Sequence, residues 1–211
     1  MNRRNVLGIG AHYDDLDLGC SGTLIKHASQ GDKVTMLVVT DSAYRNPKGQ
    51  EIRNAAVARR EGEEAAAMIG ADLVCLDYKT FEVPFDENLT RTIHGLIVNL
   101  NIDTVYSHWT GDLHRDHQHA GKAALMAGRH VPRFLMYRSN YYESGKDFQG
   151  NFYSDISAHI ETKLNVIRCH RSELERVQFA WIDFFTHQNR NDGLRIGCQY
   201  AEALQVVRYL C

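Results

Sequence analysis

The sequence predicts an α/β fold: a doubly wound, mostly parallel sheet with helices on both faces, in a single domain over residues 1–211. Three observations carry this reading. Short apolar runs without polar alternation recur, as in strands buried on both faces. Each run is followed by a helix-like stretch, the β-α-β alternation of a parallel sheet. With three prolines among 211 residues, no repeat and no low-complexity segment, no linker divides the chain.

The elements follow in order. Val6 to Ala11 reads as the first strand. Gly19 to Gln30 is a helix stopped by Gly31. Lys33 to Thr40, rich in valine, is the second strand, left through Thr40-Asp41-Ser42. Ile52 to Ile69 is a long alanine-rich helix ended by Gly70. Leu73 to Tyr78 is a third strand, Asn88 to Leu100 a helix, Thr104 to His108 a fourth strand. Asp116 to Ala127 is a helix and Arg133 to Tyr137 a fifth strand. Right-handed crossovers between parallel strands give a Rossmann-like sheet. Beyond Tyr137 the pattern weakens: Ser157 to Arg176 reads as helical, and Tyr200 to Tyr209 fits a helix or a late strand.

Composition excludes several classes. A net charge of −2 gives no electrostatic reason to expect nucleic acid or an anionic membrane surface. No apolar stretch approaches the roughly 20 residues of a membrane helix. The polar start, Met1 to Asn5, leads into a run too short and glycine-broken for a signal peptide. Five scattered cysteines, with no CxxC pair, point to reduced thiols in a cytoplasm.

Two clusters carry the chemistry. Ala11-His12-Tyr13-Asp14-Asp15 leaves the first strand, and Asp112-Leu113-His114-Arg115-Asp116-His117 follows the fourth. In an open α/β sheet both lie at the carboxyl edge, where ligands gather. Imidazole with carboxylate suits a cation such as zinc, and three protein ligands leave a position open for catalysis. His12, Asp15 and His117 are the expected ligands. Asp14, beside a ligand but pointing elsewhere, is the expected general base for a metal-activated water. His114, paired with Asp116 and held protonated, would stabilise an oxyanion. The alternative for Asp116 is an N-cap of the following helix. His108 and His119 have no assigned role and read as solvated.

A dinucleotide site fits poorly. Gly8-Ile9-Gly10 matches half of GxGxxG, but Tyr13 stands at the third glycine, and Asp14 and Asp15 would repel a pyrophosphate. Gly19-Cys20-Ser21-Gly22 could cradle a phosphate; close helix–strand packing is the favoured reading.

At these residues the chain resembles the LmbE/PIG-L family of zinc-dependent N-acetylglucosaminyl deacetylases. The family's AHPDD motif stands here as Ala11 to Asp15, continuing through Gly19, Gly22, Thr23 and Leu24. Its HPDH motif stands as His114-Arg115-Asp116-His117. Arg59-Arg60-Glu61 through Ile69-Gly70 resembles a third signature. Weaker likeness covers Asp155-Ile156-Ser157, Lys163, His170-Arg171-Ser172 and Tyr200 to Ala203.

The resemblance implies zinc on His12, Asp15 and His117, Asp14 as base, His114 at the oxyanion and Arg59 at the substrate. Asp112 is counted with Arg59 as substrate-binding. Donor type alone also suits iron or manganese. Tyr13 and Arg115 replace prolines and Asp17 a glutamate. Tyr13 and Arg115 are expected at the site mouth, altering substrate fit, with loop tolerance as the alternative. Tyr141, Tyr142 and Tyr153 could stack on a sugar ring, with packing of the domain as the equal alternative. The implied activity is removal of acetyl from an N-acetylated sugar or sugar conjugate, in a homo-oligomer, trimer or hexamer. The alternatives are a zinc-dependent hydratase of an unsaturated carboxylate, and a non-enzymatic nucleotide-binding domain.

Overall fold

The computed structural model describes residues 3–142 and 144–211. Met1 and Asn2 of the polar start, and Glu143 in the tyrosine-rich segment, lie outside them. In chain order the elements are β1 (Asn5–Gly10), α1 (Asp15–Gly19), α2 (Ser21–Ser29), β2 (Lys33–Thr40), β3 (Tyr44–Arg45), β4 (Glu51–Arg53), α3 (Ala55–Ile69), β5 (Asp72–Tyr78) and α4 (Glu87–Asn99). They continue with β6 (Thr104–His108), α5 (Arg115–Ala127), β7 (Arg133–Tyr137), β8 (Phe152–Asp155), α6 (Ile160–Cys169), α7 (Arg171–Arg176), α8 (Ala180–Ile196) and β9 (Ala201–Tyr209).

A seven-stranded sheet runs β5-β2-β1-β6-β7-β9-β8. The first five strands are parallel, and β9 and β8 close the far edge antiparallel. The residues of β1 explain its central place. Val6 packs on one face with Leu24, Val34 and Met36; Leu7 and Ile9 pack on the other with Leu37, Val105 and Phe134. Both faces are apolar because both are covered by helices, and each fully buried Leu or Ile stabilises the fold by about 1.5–3 kcal/mol.

From β1 the chain crosses to β2 on one side, while β6 lies on the other. The loops leaving β1 and β6 therefore diverge and open a crevice at the carboxyl edge. Both clusters enter it.

Local chemistry sets the boundaries. Asn54 accepts from the Ala56 amide and caps α3, so the helix starts there and not at Ile52 as the sequence predicts. Gly70, at φ 81°, ends it in the left-handed conformation. Residues 51–53 form instead the second strand of a ribbon turning through Asn46-Pro47-Lys48-Gly49. The stretch Ser157 to Arg176 is two helices, broken at His170, and Tyr200 to Tyr209 resolves as strand β9.

The glycines of α1 and α2 serve packing. A side chain at Gly19 would strike Tyr137, and one at Gly22 would strike Ile156. The anion at the start of α2 is the chain's own: Glu202 accepts from the Gly22 amide at 2.9 Å and the Thr23 amide at 2.7 Å. Among the described residues no helix is long and apolar enough to cross a membrane.

Candidate active site

The turn after β1 places His12 just before the first turn of α1, where Asp15 sits. The loop after β6 delivers His117 on the first turns of α5. Donor atoms of three residues converge. His12 Nδ1 lies 3.2 Å from Asp15 Oδ2, His117 Nε2 lies 3.1 Å from Asp15 Oδ1, and the two nitrogens are 3.3 Å apart. A tetrahedral ion with bonds of about 2.0–2.1 Å spaces its donors by about 3.3–3.4 Å, so the trio fits a small divalent cation.

The surroundings fit as well. Asp116 Oδ2 lies 3.3 Å from His12 Nε2, and the same carboxylate accepts from the Phe81 amide at 2.6 Å and the Val83 amide at 3.3 Å. Asp112 Oδ2 lies 3.2 Å from His117 Nδ1, angled off the hydrogen-bond direction. A carboxylate behind each imidazole orients it and raises its basicity, as at metal-bound histidines.

Electrostatics agree. Burial disfavours the His12 imidazolium, yet the charge of Asp15 and hydrogen bonds to Asp116 and Asp15 raise its pKa from 6.5 to about 10. Burial likewise opposes, and Asp15 and Asp112 overcome, to raise His117 to about 9. Burial would raise the Asp15 pKa, but His117, His108 and His12 hold it well below the ordinary range. A pocket that holds protons this firmly attracts cations, and the two compete. Metal affinity is therefore expected to rise at least tenfold per pH unit between pH 6 and 8, levelling near pH 10 where His12 no longer binds a proton. Calorimetry in buffers of differing ionisation enthalpy counts the protons released. Affinity independent of pH, or a His117→Ala protein that keeps stoichiometric metal, would remove the trio as the binding site.

Asp14 lies on the cleft wall, 7% exposed. Its Oδ2 accepts from Arg53 Nη1 at 3.0 Å. His114 caps α5: its Nδ1 accepts from the Asp116 amide at 3.2 Å. This corrects the expected His114–Asp116 pair, because the Asp116 carboxylate is committed to His12. It also corrects the expected charge. An Nδ1 that accepts carries no proton, and burial, then the charges of His117 and His12, push His114 down to about 4. His114 is a neutral imidazole whose proton sits on Nε2.

Other expectations are corrected too. Arg59 is on the exposed face of α3, its side chain 55% exposed and paired with Glu63 at 3.0 Å, away from the cleft. Asp112 is buried and holds His117, the His114 amide and Asn140, so it orients protein groups and does not face substrate. Tyr13 is 1% exposed, packed where Gly62 leaves room on α3, and not at the mouth. The Arg115 guanidinium is tied to the Phe81 carbonyl. His108 is fully buried, 3.1 Å from Asp15, and so is not solvated, while half-buried His119 donates to the Val83 carbonyl at 2.7 Å. Asp17 sits against His170 at 2.6 Å, fully buried.

The cleft, about 300 Å³, is lined by His12, Asp14, Asp15, His114 and His117 on one side. Tyr44, Phe81, Tyr141, Tyr142 and Trp181 form its apolar walls, while Tyr153 lies elsewhere. Phe81 stacks on the His114 ring at 28° with φ 69°, a strained conformation for a bulky residue. Arg53, Glu173 and Arg176, which sequence reasoning missed, also line it. The Asn-Pro-x-Gly turn and the capping Asn54 were the available signals, because together they place Arg53 on a ribbon before the helix.

The sequence profile of the PIG-L: GlcNAc-PI de-N-acetylase family matches residues 7–127, more than half of the chain and both clusters. The chain belongs to this family. Among curated proteins, a diacetylchitobiose deacetylase of Thermococcus kodakarensis is 27% identical over 97% of this chain and 83% of its own length. An uncharacterized deacetylase of Escherichia coli is 27% identical over 65% of this chain and 75% of its own.

Solved structures share the fold. The N,N'-diacetylchitobiose deacetylase of Pyrococcus horikoshii superposes with a TM-score of 0.83 at 23% identity, covering 98% of this chain and 84% of the other. A 4-carboxy-2-hydroxymuconate hydratase of Pseudomonas putida superposes at 0.84 with 18% identity, covering 99% and 98%. These solved structures thus share this sheet.

Proposed function

We propose that the protein is a zinc-dependent hydrolase that removes the acetyl group from an N-acetylated sugar or sugar conjugate. The observation that carries this is a carboxylate outside the ligand trio, Asp14, standing in the cleft beside it. Family membership and the two deacetylase relatives support the same reading. His12, Asp15 and His117 would hold the ion. When bound, such an ion polarises the amide carbonyl and makes a water more acidic, with a pKa near 7 in the best cases.

The chain's own residues do the rest. Asp14 takes the proton of the attacking water as oxygen adds to the amide carbon. The developing oxyanion accepts from the Nε2–H of neutral His114, a donor needing no further proton. Asp14, now protonated, passes that proton to the leaving nitrogen, the C–N bond breaks, and acetate and a free amine remain. The aromatic walls exclude water and offer flat faces to the C–H side of a pyranose ring.

The test is incubation of the metal-loaded protein with N-acetylglucosamine and its glycosides, reading acetate and primary amine together. Equimolar appearance of both is expected. Failure with every N-acetyl sugar, with hydration of an unsaturated carboxylate instead, would overturn the reading. The trimeric or hexameric assembly that the resemblance implies is checked by light scattering on the same preparation. We place the protein in the cytoplasm on its five unpaired cysteines.

A further inference from the structure

We propose that Arg53 is the positioning residue of the base, holding Asp14 in the orientation that leaves Oδ1 free for proton transfer. This rests on the assignment of Asp14 as the base. Arg53 is the last residue of β4, and its side chain is 2% exposed. A guanidinium buried this deeply is tolerated only when paired. Its Nη1 donates to Asp14 Oδ2 at 3.0 Å, and its Nη2 donates to Glu61 Oε2 at 3.2 Å. Glu61 is itself fixed from α7, accepting from the Ser172 amide at 2.8 Å and the Ser172 hydroxyl at 2.7 Å. The fork thus spans a rigid anchor on one arm and the base on the other.

Two features separate this from an ordinary core ion pair. Glu61 alone would neutralise the guanidinium, yet the second arm goes to a carboxylate on the cleft wall. Asp14 also occupies the N-cap position of α1 without capping it. An aspartate there ordinarily turns its carboxylate onto the free amides of its own helix. Arg53 is the only side-chain partner of Asp14 among the described residues, so it is what draws the carboxylate away from the cap. Without Arg53 the carboxylate would swing onto α1, and the base would leave the reacting water.

The test is steady-state kinetics on metal-loaded variants. Arg53→Ala is expected to lower kcat about 10²-fold, the loss typical of a misplaced group, with KM within about threefold. Because both changes act through one carboxylate, Asp14→Asn/Arg53→Ala is expected to be no slower than Asp14→Asn alone. Added guanidinium at about 50 mM should restore part of the Arg53→Ala rate, by the fork geometry it shares with arginine.

A KM rise with kcat unchanged would make Arg53 a substrate contact and overturn the proposal. So would a further rate loss from Arg53→Ala in the Asp14→Asn background. Should Arg53→Ala fail to fold, Arg53→Lys carries the test: its single ammonium cannot span Asp14 and Glu61, and a kcat within threefold of wild type would overturn the clamp. Retained activity in Asp14→Asn itself would remove the base assignment, a result distinct from any of these.

Discussion

Exchanging Asp14 for asparagine is expected to lower kcat by about 10²–10⁴-fold, the range a general base contributes, while metal stoichiometry stays at the wild-type value. The separation follows from geometry. The atoms proposed to bind the ion belong to His12, Asp15 and His117, and Asp14 contributes none of them. Asparagine keeps the shape and an oxygen that can accept from Arg53 Nη1, so the ribbon and α3 remain in register. What it loses is the capacity to take a proton from water and return it to the departing nitrogen. Metal analysis and kinetics on one preparation read both halves. A rate within tenfold of wild type would show that another group moves the proton. Loss of metal would show that Asp14 belongs to the binding set.

Much of the site was legible because its residues lie in short contiguous clusters. His12 and Asp15 share one turn, and His117 starts a helix, so strand order alone brings them together. The strands Lys33–Thr40, Thr104–His108 and Arg133–Tyr137 coincide with the sequence reading, because strands buried on both faces leave unbroken apolar runs. The supporting groups were illegible for the opposite reason. Arg53 reaches Asp14 across 39 positions, and its partner Glu61 is held by Ser172 across 111. No periodicity records such a contact.

The sequence reading ran Arg53 into one helix with Arg59 and Arg60, and the cap at Asn54 is what separates it from them. Tyr13 misled because a large residue in a site motif suggests a wall; Gly62, forty-nine residues on, has no side chain and makes the hole that buries it. The helix α8 escaped because its stretch from His187 to Gly193 has no apolar side chain to mark a helical period, and because it begins at Phe179 with φ 61° and no side-chain cap. It is held by Trp181 and Phe185 packing on Leu18, Ile156 and Leu164.

A second large effect is expected far from the chemistry. Lys163→Met should destabilise the fold by about 3–5 kcal/mol, the usual consequence of stranding one member of a buried ion pair. For a domain of this size, that lowers Tm by roughly 6–20 °C. Lys163 and Glu202 are both fully buried side chains, with Nζ 2.7 Å from Oε1. Methionine fills the same volume, so the loss would come from charge and not from a cavity. Glu202 would still accept from the Gly22 and Thr23 amides and the Thr23 hydroxyl, but as an anion without its counter-ion.

Lys163 also donates to the Leu18 carbonyl at 3.0 Å, at the end of the helix that begins with Asp15. The pair therefore fixes α1 and the start of α2 against α6 and β9, and through α1 it steadies Asp15. Glu202→Gln should cost a similar amount, since it strands the ammonium. Lys163→Met with Glu202→Gln should lose less than the sum of the two, because neither charge is then left alone. Thermal and urea unfolding of the three variants measure this. Single variants within 1 kcal/mol of wild type, or losses that simply add, would mean that the pair is solvated well enough to matter little, and that α1 is held by its apolar contacts.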